Sequence, residues 1–304
     1  MTLFLEQMLN GLQLGVMLFL MAAGLTLIFG IMGIINLAHG SIYMVGAYAG
    51  TLVIGQTGSF LLGIAGALGA AAVTGVVMEM VVIRRLYRRD HLDQVLATFA
   101  IILILNQLVT ILFGRQPLFV PMPPLLAGSV ELLPGLVYPV YRLSIIVVGL
   151  LVAAGLYVLI NRTRIGMLVR AGSTNRDMVR ALGVDIRMLY TVVFGLGALL
   201  AGLAGLMAGP ILAVQVGMGE QILITTFVVV VIGGVGSIRG AFFASLIIGV
   251  VDTMLRAYLP GLLRQIMVGS EADALGAGIS SMGIYLLMAL VLLVRPKGLF
   301  AADS

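Results

Sequence analysis

The chain has no cysteine, no tryptophan and a single lysine among its 304 residues. Without cysteine there is no disulfide framework, no thiolate nucleophile, no iron–sulfur cluster and no cysteine zinc site. The lone lysine, Lys297, stands in Arg-Pro-Lys-Gly near the C-terminus. No lysine therefore closes a run of the form G-x-x-x-x-G-K-[ST], and nucleotide hydrolysis through that phosphate cradle is excluded. The two histidines, His39 and His91, lie far apart in different contexts, which argues against a paired metal site. Charge is scarce as well: Asp, Glu, Lys and Arg make up 10 % of the chain, against about a quarter in soluble domains. Too little is present to coat a water-facing surface, and a soluble globule is excluded.

What is abundant is apolar. Hydrophobic residues are 61 % of the sequence and the mean hydropathy is +1.20, enough for eight or nine spans of about 20 residues each. Apolar stretches run at roughly 8–30, 40–54, 60–83, 95–113, 141–160, 189–213, 222–236, 240–257 and 279–294. They lack period-two alternation, and in lipid a backbone must satisfy its own hydrogen bonds, so they read as helices and not barrel strands. The expectation is an all-α, polytopic membrane protein of about 8–10 spans, best counted as nine, forming one transmembrane domain over residues 1–304. Placing 84–93, 161–187, Arg239 and the C-terminal tail on one side collects 13 of the 17 basic residues. By the positive-inside rule that side is cytoplasmic. Nine crossings then put the N-terminus outside and the C-terminus inside, in keeping with a start that has no basic leader and carries Glu6 as its first charge. The stretch 114–140 holds Pro117, Pro121, Pro123, Pro124, Pro134 and Pro139. It cannot form a long helix and reads as a stiff external loop, either a connector or a docking surface. The formal charge of +5 sits between apolar runs and does not point to nucleic acid.

Three segments interrupt the apolar pattern. The first, Gly30–Tyr43, brings Asn36, His39, Gly40, Ser41 and Tyr43 into an apolar run. Polar groups there are costly and default to a functional reading, here a translocation pathway; a helix-to-helix turn at the cytoplasmic interface is the compatible alternative. The second, Ile232–Ala241, contains Gly233, Gly234, Gly236 and Ser237. Glycine-interrupted spans at matching places in two halves point to a transport pathway, so the two segments form a candidate pair. The third is the cytoplasmic loop 161–188. Thr174 followed by Asp177 reads as a capping box and Gly183 as a C-cap, giving a helix of about nine residues outside the membrane. Its apolar face of Met178, Ala181 and Leu182 would be marginal in isolation, which calls for a partner protein or, alternatively, a membrane surface.

Ion-coupled carriers place carboxylates near the midplane, and this sequence offers few. Glu79 lies near the arginine-rich inner edge, and Asp252 sits four residues before Arg256 on one helical face, so both read as ion-paired interface residues. No nucleotide motif and no evident coupling ion, beside a capped cytoplasmic helix, point to a permease subunit worked by a separate ATPase. A facilitator or ion-coupled carrier acting alone is the competing class. Neither is an enzyme.

Four ordered motifs, Leu25-Thr-Leu-Ile-Phe-Gly-Ile-Met-Gly-Ile-Ile-Asn-Leu-Ala-His-Gly40, the Arg170–Gly183 loop ending in Ala-Leu-Gly-Val, Gly233-Gly-Val-Gly-Ser-Ile-Arg-Gly-Ala241 and Arg295-Pro-Lys-Gly-Leu-Phe300, resemble the inner-membrane permeases of branched-chain amino acid ABC importers, the LivH type. The resemblance implies a multi-pass protein of the bacterial inner membrane working with a paralogous permease, two cytoplasmic ATPases that carry ATP and Mg, and a periplasmic substrate-binding protein. No cofactor is expected on this chain itself. By position, residues 173–183 correspond to the coupling helix, with Ser173, Thr174, Asn175, Asp177, Met178, Ala181, Leu182 and Gly183 facing the ATPase. Ser41 stands where relatives often have an acidic residue and Arg239 where they have proline. Substrate identity stays open between hydrophobic amino acids and the urea, short amides or aromatic acids that similar architectures carry.

Overall fold

The computed structural model describes residues 2–87 and 89–300; Arg88 and the side chain of Asp177 lie outside the description. Its helices are α1 (Thr2–Met32), α2 (His39–Thr57), α3 (Phe60–Leu86), α4 (His91–Phe113), α5 (Val140–Arg162), α6 (Arg164–Thr174), α7 (Arg176–Ala181), α8 (Ile186–Ala208), α9 (Met218–Gly233), α10 (Ile238–Leu263) and α11 (Gly269–Val294). Among the described residues seven of these, α1, α3, α4, α5, α8, α10 and α11, are long and apolar enough to cross a membrane. The protein is a polytopic helical membrane protein. All nine apolar stretches of the sequence fall on helices, but α9 has 16 residues, about 24 Å at the helical rise, short of a bilayer core of about 30 Å.

The core is built around α1 and α8, whose most apolar windows are 83 % and 67 % buried, while those of α4 and α11 are 17 % and 11 % buried. The first pair is therefore central and the second peripheral. Small residues permit the central approach: Gly11 and Gly15 of α1 lie directly on the backbone of α10 at Val250 and Leu246, and Gly202 of α8 lies against Ala71 of α3. Helix packing in lipid depends on such close backbone contact, since no water is expelled to drive it.

Two sets of four helices repeat. The third helix of each set begins 178 residues from its counterpart (Phe60, Ile238), and so does the fourth (His91, Gly269). The turn before the third helix repeats in sequence as Val53-Ile-Gly-Gln-Thr-Gly-Ser59 and Val231-Ile-Gly-Gly-Val-Gly-Ser237. In both, a glycine with positive φ (Gly58, 66°; Gly236, 84°) precedes a serine whose hydroxyl caps the helix, accepting from Leu62 N and Gly240 N respectively. Packing repeats as well: α1 lies on α10, α8 on α3. This corrects the pairing read from sequence. The counterpart of Gly233–Ser237 is Gly55–Ser59, and the break at 33–38 corresponds to the break at 209–217.

Segment 114–140 holds a short turn at Pro124–Leu126 and an antiparallel hairpin of β1 (Ser129–Leu133) and β2 (Leu136–Pro139), a small β element in an otherwise helical chain. Leu118 also bridges Val214 in the 209–217 break, fixing the end of α8 beneath this loop.

Candidate functional site

The two breaks bring their following helices together. Gly24 is eight residues from the end of α1, about 12 Å along the axis, yet a Cβ placed on it would lie 2.9 Å from His39 Nε2. Segment 33–38 therefore folds back into the bundle, and α2 starts well inside it. The start of α9 lies at the same level, because Gly40 and Gly219 meet backbone to backbone with no room for a Cβ on either. Two helix N-termini, each presenting the positive end of a helix dipole, thus abut inside the bundle.

Around this junction polar atoms are buried. Asn36 Oδ1 accepts from the Ala38 amide at 3.1 Å, an Asx turn that shapes the break, so its turn-forming role is evident. His39 and Ser41 are buried, the imidazole beside the Met21 backbone and the Ser41 hydroxyl without a hydrogen-bond partner among the described residues; Asn36 Nδ2, Thr26 Oγ1 and Tyr48 OH share that state. Tyr43 is buried one turn further along α2, where its carbonyl takes the close approach of Gly205.

Beside the junction, in the first turn of α9, Glu220 accepts a hydrogen bond from Asn106 Nδ2 of α4 at 2.7 Å, and its second oxygen Oε2 has no partner. Glu220 is a carboxylate inside the bundle, where the sequence offers few, because α9 begins there. The signal was present in Gly209-Pro210, a helix terminator followed by the positive-φ Gly217.

Gly233, Gly234, Gly236 and Ser237 occupy a tight turn at the opposite end of α9. Gly233 packs on Gly240, Ser237 caps α10, and the C-terminal tail clasps the turn through Leu299 N to Ile232 O (2.8 Å) and Phe300 N to Gly233 O (3.1 Å). This turn meets the end of α1 at Gly30, within the first segment, while His39–Tyr43 lie deeper.

The cytoplasmic-loop reading is partly redrawn. Residues 164–174 form α6, so Ser173 and Thr174 end a helix and bond back to the Arg170 carbonyl. The cap of α7 is Asn175, whose Oδ1 accepts from Met178 N at 2.9 Å, and α7 is six residues long, not about nine. The partner of a Thr174 capping box, the Asp177 side chain, lies outside the described residues. Gly183 is left-handed as the C-cap requires (φ 84°). Met178, Ala181 and Leu182 are exposed, Leu182 by 75 %.

α7 leads into α8, and α8 is tied to α3 by Glu79. A π-helical turn at Glu79–Ile83 turns this fully buried carboxylate toward Arg84 (3.2 and 3.0 Å), Thr191 of α8 (2.8 Å) and the Tyr87 hydroxyl. Burial pushes the Tyr87 phenol well above its ordinary pKa, and its hydrogen bond to Glu79 adds to this, so it remains a donor. Asp252 pairs with Arg256 at 2.8 Å.

Broken helices meeting inside a bundle, with polar groups at the break, define a membrane transport protein as a class. The family model for the branched-chain amino acid transport system / permease component matches residues 7–294, and the chain belongs to that family. It is 30 % identical to the high-affinity branched-chain amino acid transport system permease protein LivH of Salmonella typhimurium, over 97 % of this chain and 95 % of that protein. It is likewise 30 % identical to BraD of Pseudomonas aeruginosa, with the same coverage, and 28 % identical to LivH of Escherichia coli K12, again over 97 % and 95 %. No solved structure matches the chain.

Proposed function

We propose that this chain is the permease subunit of an ATP-binding-cassette importer for branched-chain or other hydrophobic amino acids in a bacterial inner membrane. It forms a single transmembrane domain with nine crossings, N-terminus outside and C-terminus cytoplasmic. Loop 114–140 then faces the periplasmic binding protein, and loop 161–188 faces the ATPases. A paralogous permease completes the gate, and ATP and Mg stay on the ATPase subunits. The observation that carries this reading is the junction of α2 and α9. Two buried helix starts, related by the internal repeat, can part toward either side of the membrane, which is what alternating access requires. Binding energy must differ between the two states for ATP to do work on substrate, and the path from α7 through α8 and Glu79 to α3 offers the mechanical link. His39, Ser41, Tyr43 and Glu220 border the pathway, with Asn36 shaping its loop. Gly233, Gly234, Gly236 and Ser237 act as the hinge of α9 at the cytoplasmic end.

Glu220 favours a second reading, an ion-coupled carrier working alone, because an ionisable group inside the bundle is what such coupling uses. Reconstitution separates the two. The chain with its partner permease, ATPases and binding protein should accumulate leucine only with ATP. Uphill uptake by the chain alone on a proton or sodium gradient overturns the importer reading.

A further inference from the structure

Five guanidinium groups, those of Arg84, Arg85, Arg176, Arg180 and Arg187, line one cleft of about 820 Å³ between the end of α3, α7 and the start of α8. Arg84 is occupied by Glu79, and Arg85 reaches the Val81 carbonyl. The side chains of Arg176, Arg180 and Arg187 have no hydrogen-bond or ion-pair partner among the described residues. Asp185 also lines the cleft, its carboxylate capping α8 by accepting from Arg187 N and Met188 N, so five guanidinium groups share the cleft with one lining carboxylate. Like charges converging in a confined space repel, and three unpaired arginines at one mouth call for a polyvalent anion.

The position selects the anion. Arg84 and Arg187 sit at the ends of two helices long enough to span the bilayer, Phe60–Leu86 and Ile186–Ala208, so the cleft opens at headgroup level. Tyr87 and Tyr190 form its aromatic floor, ring against ring at 5.1 Å. Val184 and Ile186 also line the cleft and give it an apolar part that acyl chains would cover. A soluble anion needs the arginines and has no use for an apolar rim. We propose that this cleft binds the phosphate headgroup of an anionic phospholipid of the cytoplasmic leaflet, a chemistry that basic pockets at this depth fit. The inference rests on the proposed orientation. One consequence is local: Arg176 Nη2 lies 3.0 Å from the Cβ position of Gly33 in the re-entrant loop, so a lipid bound here bears on α7 and on the loop leading to the α2–α9 junction together.

The test uses the purified full-length permease, without partners, in neutral detergent with added phosphatidylglycerol or phosphatidylcholine. Retained lipid is counted by native mass spectrometry and stability is followed by thermal unfolding. Wild type should retain phosphatidylglycerol and gain Tm from it, and phosphatidylcholine should do neither. The triple variant Arg176→Gln, Arg180→Gln, Arg187→Gln removes exposed side chains and should match wild-type Tm in phosphatidylcholine. It should lose phosphatidylglycerol retention by roughly 100-fold, at about 1 kcal/mol for each arginine. The corresponding triple lysine variant should recover much of it. Equal retention by the glutamine variant overturns the site. Equal stabilisation by millimolar inorganic phosphate assigns the cleft to a soluble anion and overturns the lipid. Each result is read on the permease itself, so failure here leaves the importer reading standing, and failure of ATP-driven uptake leaves lipid retention measurable.

Discussion

Gly40 and Gly219 show what one residue decides here. Each occupies a backbone contact with no space for a side chain, so Gly40→Val or Gly219→Val forces the starts of α2 and α9 apart. The cost is about 1–3 kcal/mol, the usual range for overpacking, and should appear as a Tm lowered by several degrees. An unchanged Tm would show that the junction is looser than this packing. Glu79→Gln keeps the shape of its side chain but discards charge-assisted bonds to Arg84 and Thr191; with Arg84 half-buried, the loss should be on the order of 2 kcal/mol. Chemical denaturation of the solubilised protein checks it. Glu220 differs because half of its carboxylate is unsatisfied. Glu220→Gln should leave stability within about 0.5 kcal/mol, the range for sites without a broken network, while slowing leucine uptake by the complete system. Unaltered uptake would remove Glu220 from the pathway. Both carboxylates are visible in the sequence; the arginine neighbours of Glu79 are local, while the place of Glu220 beside Asn106 depends on tertiary packing.

Among the elements, α7 buries Val179 but leaves Met178 and Leu182 exposed. Six residues with one side-chain cap cannot hold a helix in water by propensity alone, and the exposed Met178 and Leu182 provide no internal packing. Leu182→Asp should therefore leave the Tm of the isolated permease unaltered. In the assembled importer it should abolish the response of ATP hydrolysis to loaded binding protein. A normal response would show that α7 is not the coupling contact. The sequence locates this element through Gly183 but misplaces its start by favouring Thr174 over Asn175. Either residue is a competent N-cap, and the choice fell to α6, which extends to Thr174 and leaves Asn175 as the first residue with extended backbone.

At the scale of the whole molecule the internal repeat governs. Two four-helix sets separated by the odd helix α5 must sit inverted across a membrane if all nine cross, which makes topology testable. The absence of native cysteine allows single probes: Leu125→Cys in the proline-rich loop, at a site 95 % exposed, should react with an impermeant maleimide from outside intact cells. Leu182→Cys should react only after permeabilisation. Labelling of both from the same side defeats the nine-crossing arrangement. The weakly buried α4 and α11 leave broad apolar faces exposed.

Composition and hydropathy by themselves determined that this chain lives in lipid, that it is helical, and where its apolar stretches fall, because the hydrophobic run and the basic loop are local properties. Local too were the proline-rich loop, the Glu79 and Asp252 ion pairs and the Gly183 turn. Only the tertiary structure decided that 33–38 and 209–217 fold back into the bundle, that the starts of α2 and α9 meet, and that Glu220 faces Asn106. The last two depend on distant residues coming into contact, Gly40 with Gly219 and Asn106 with Glu220, and no window along a single chain measures those distances.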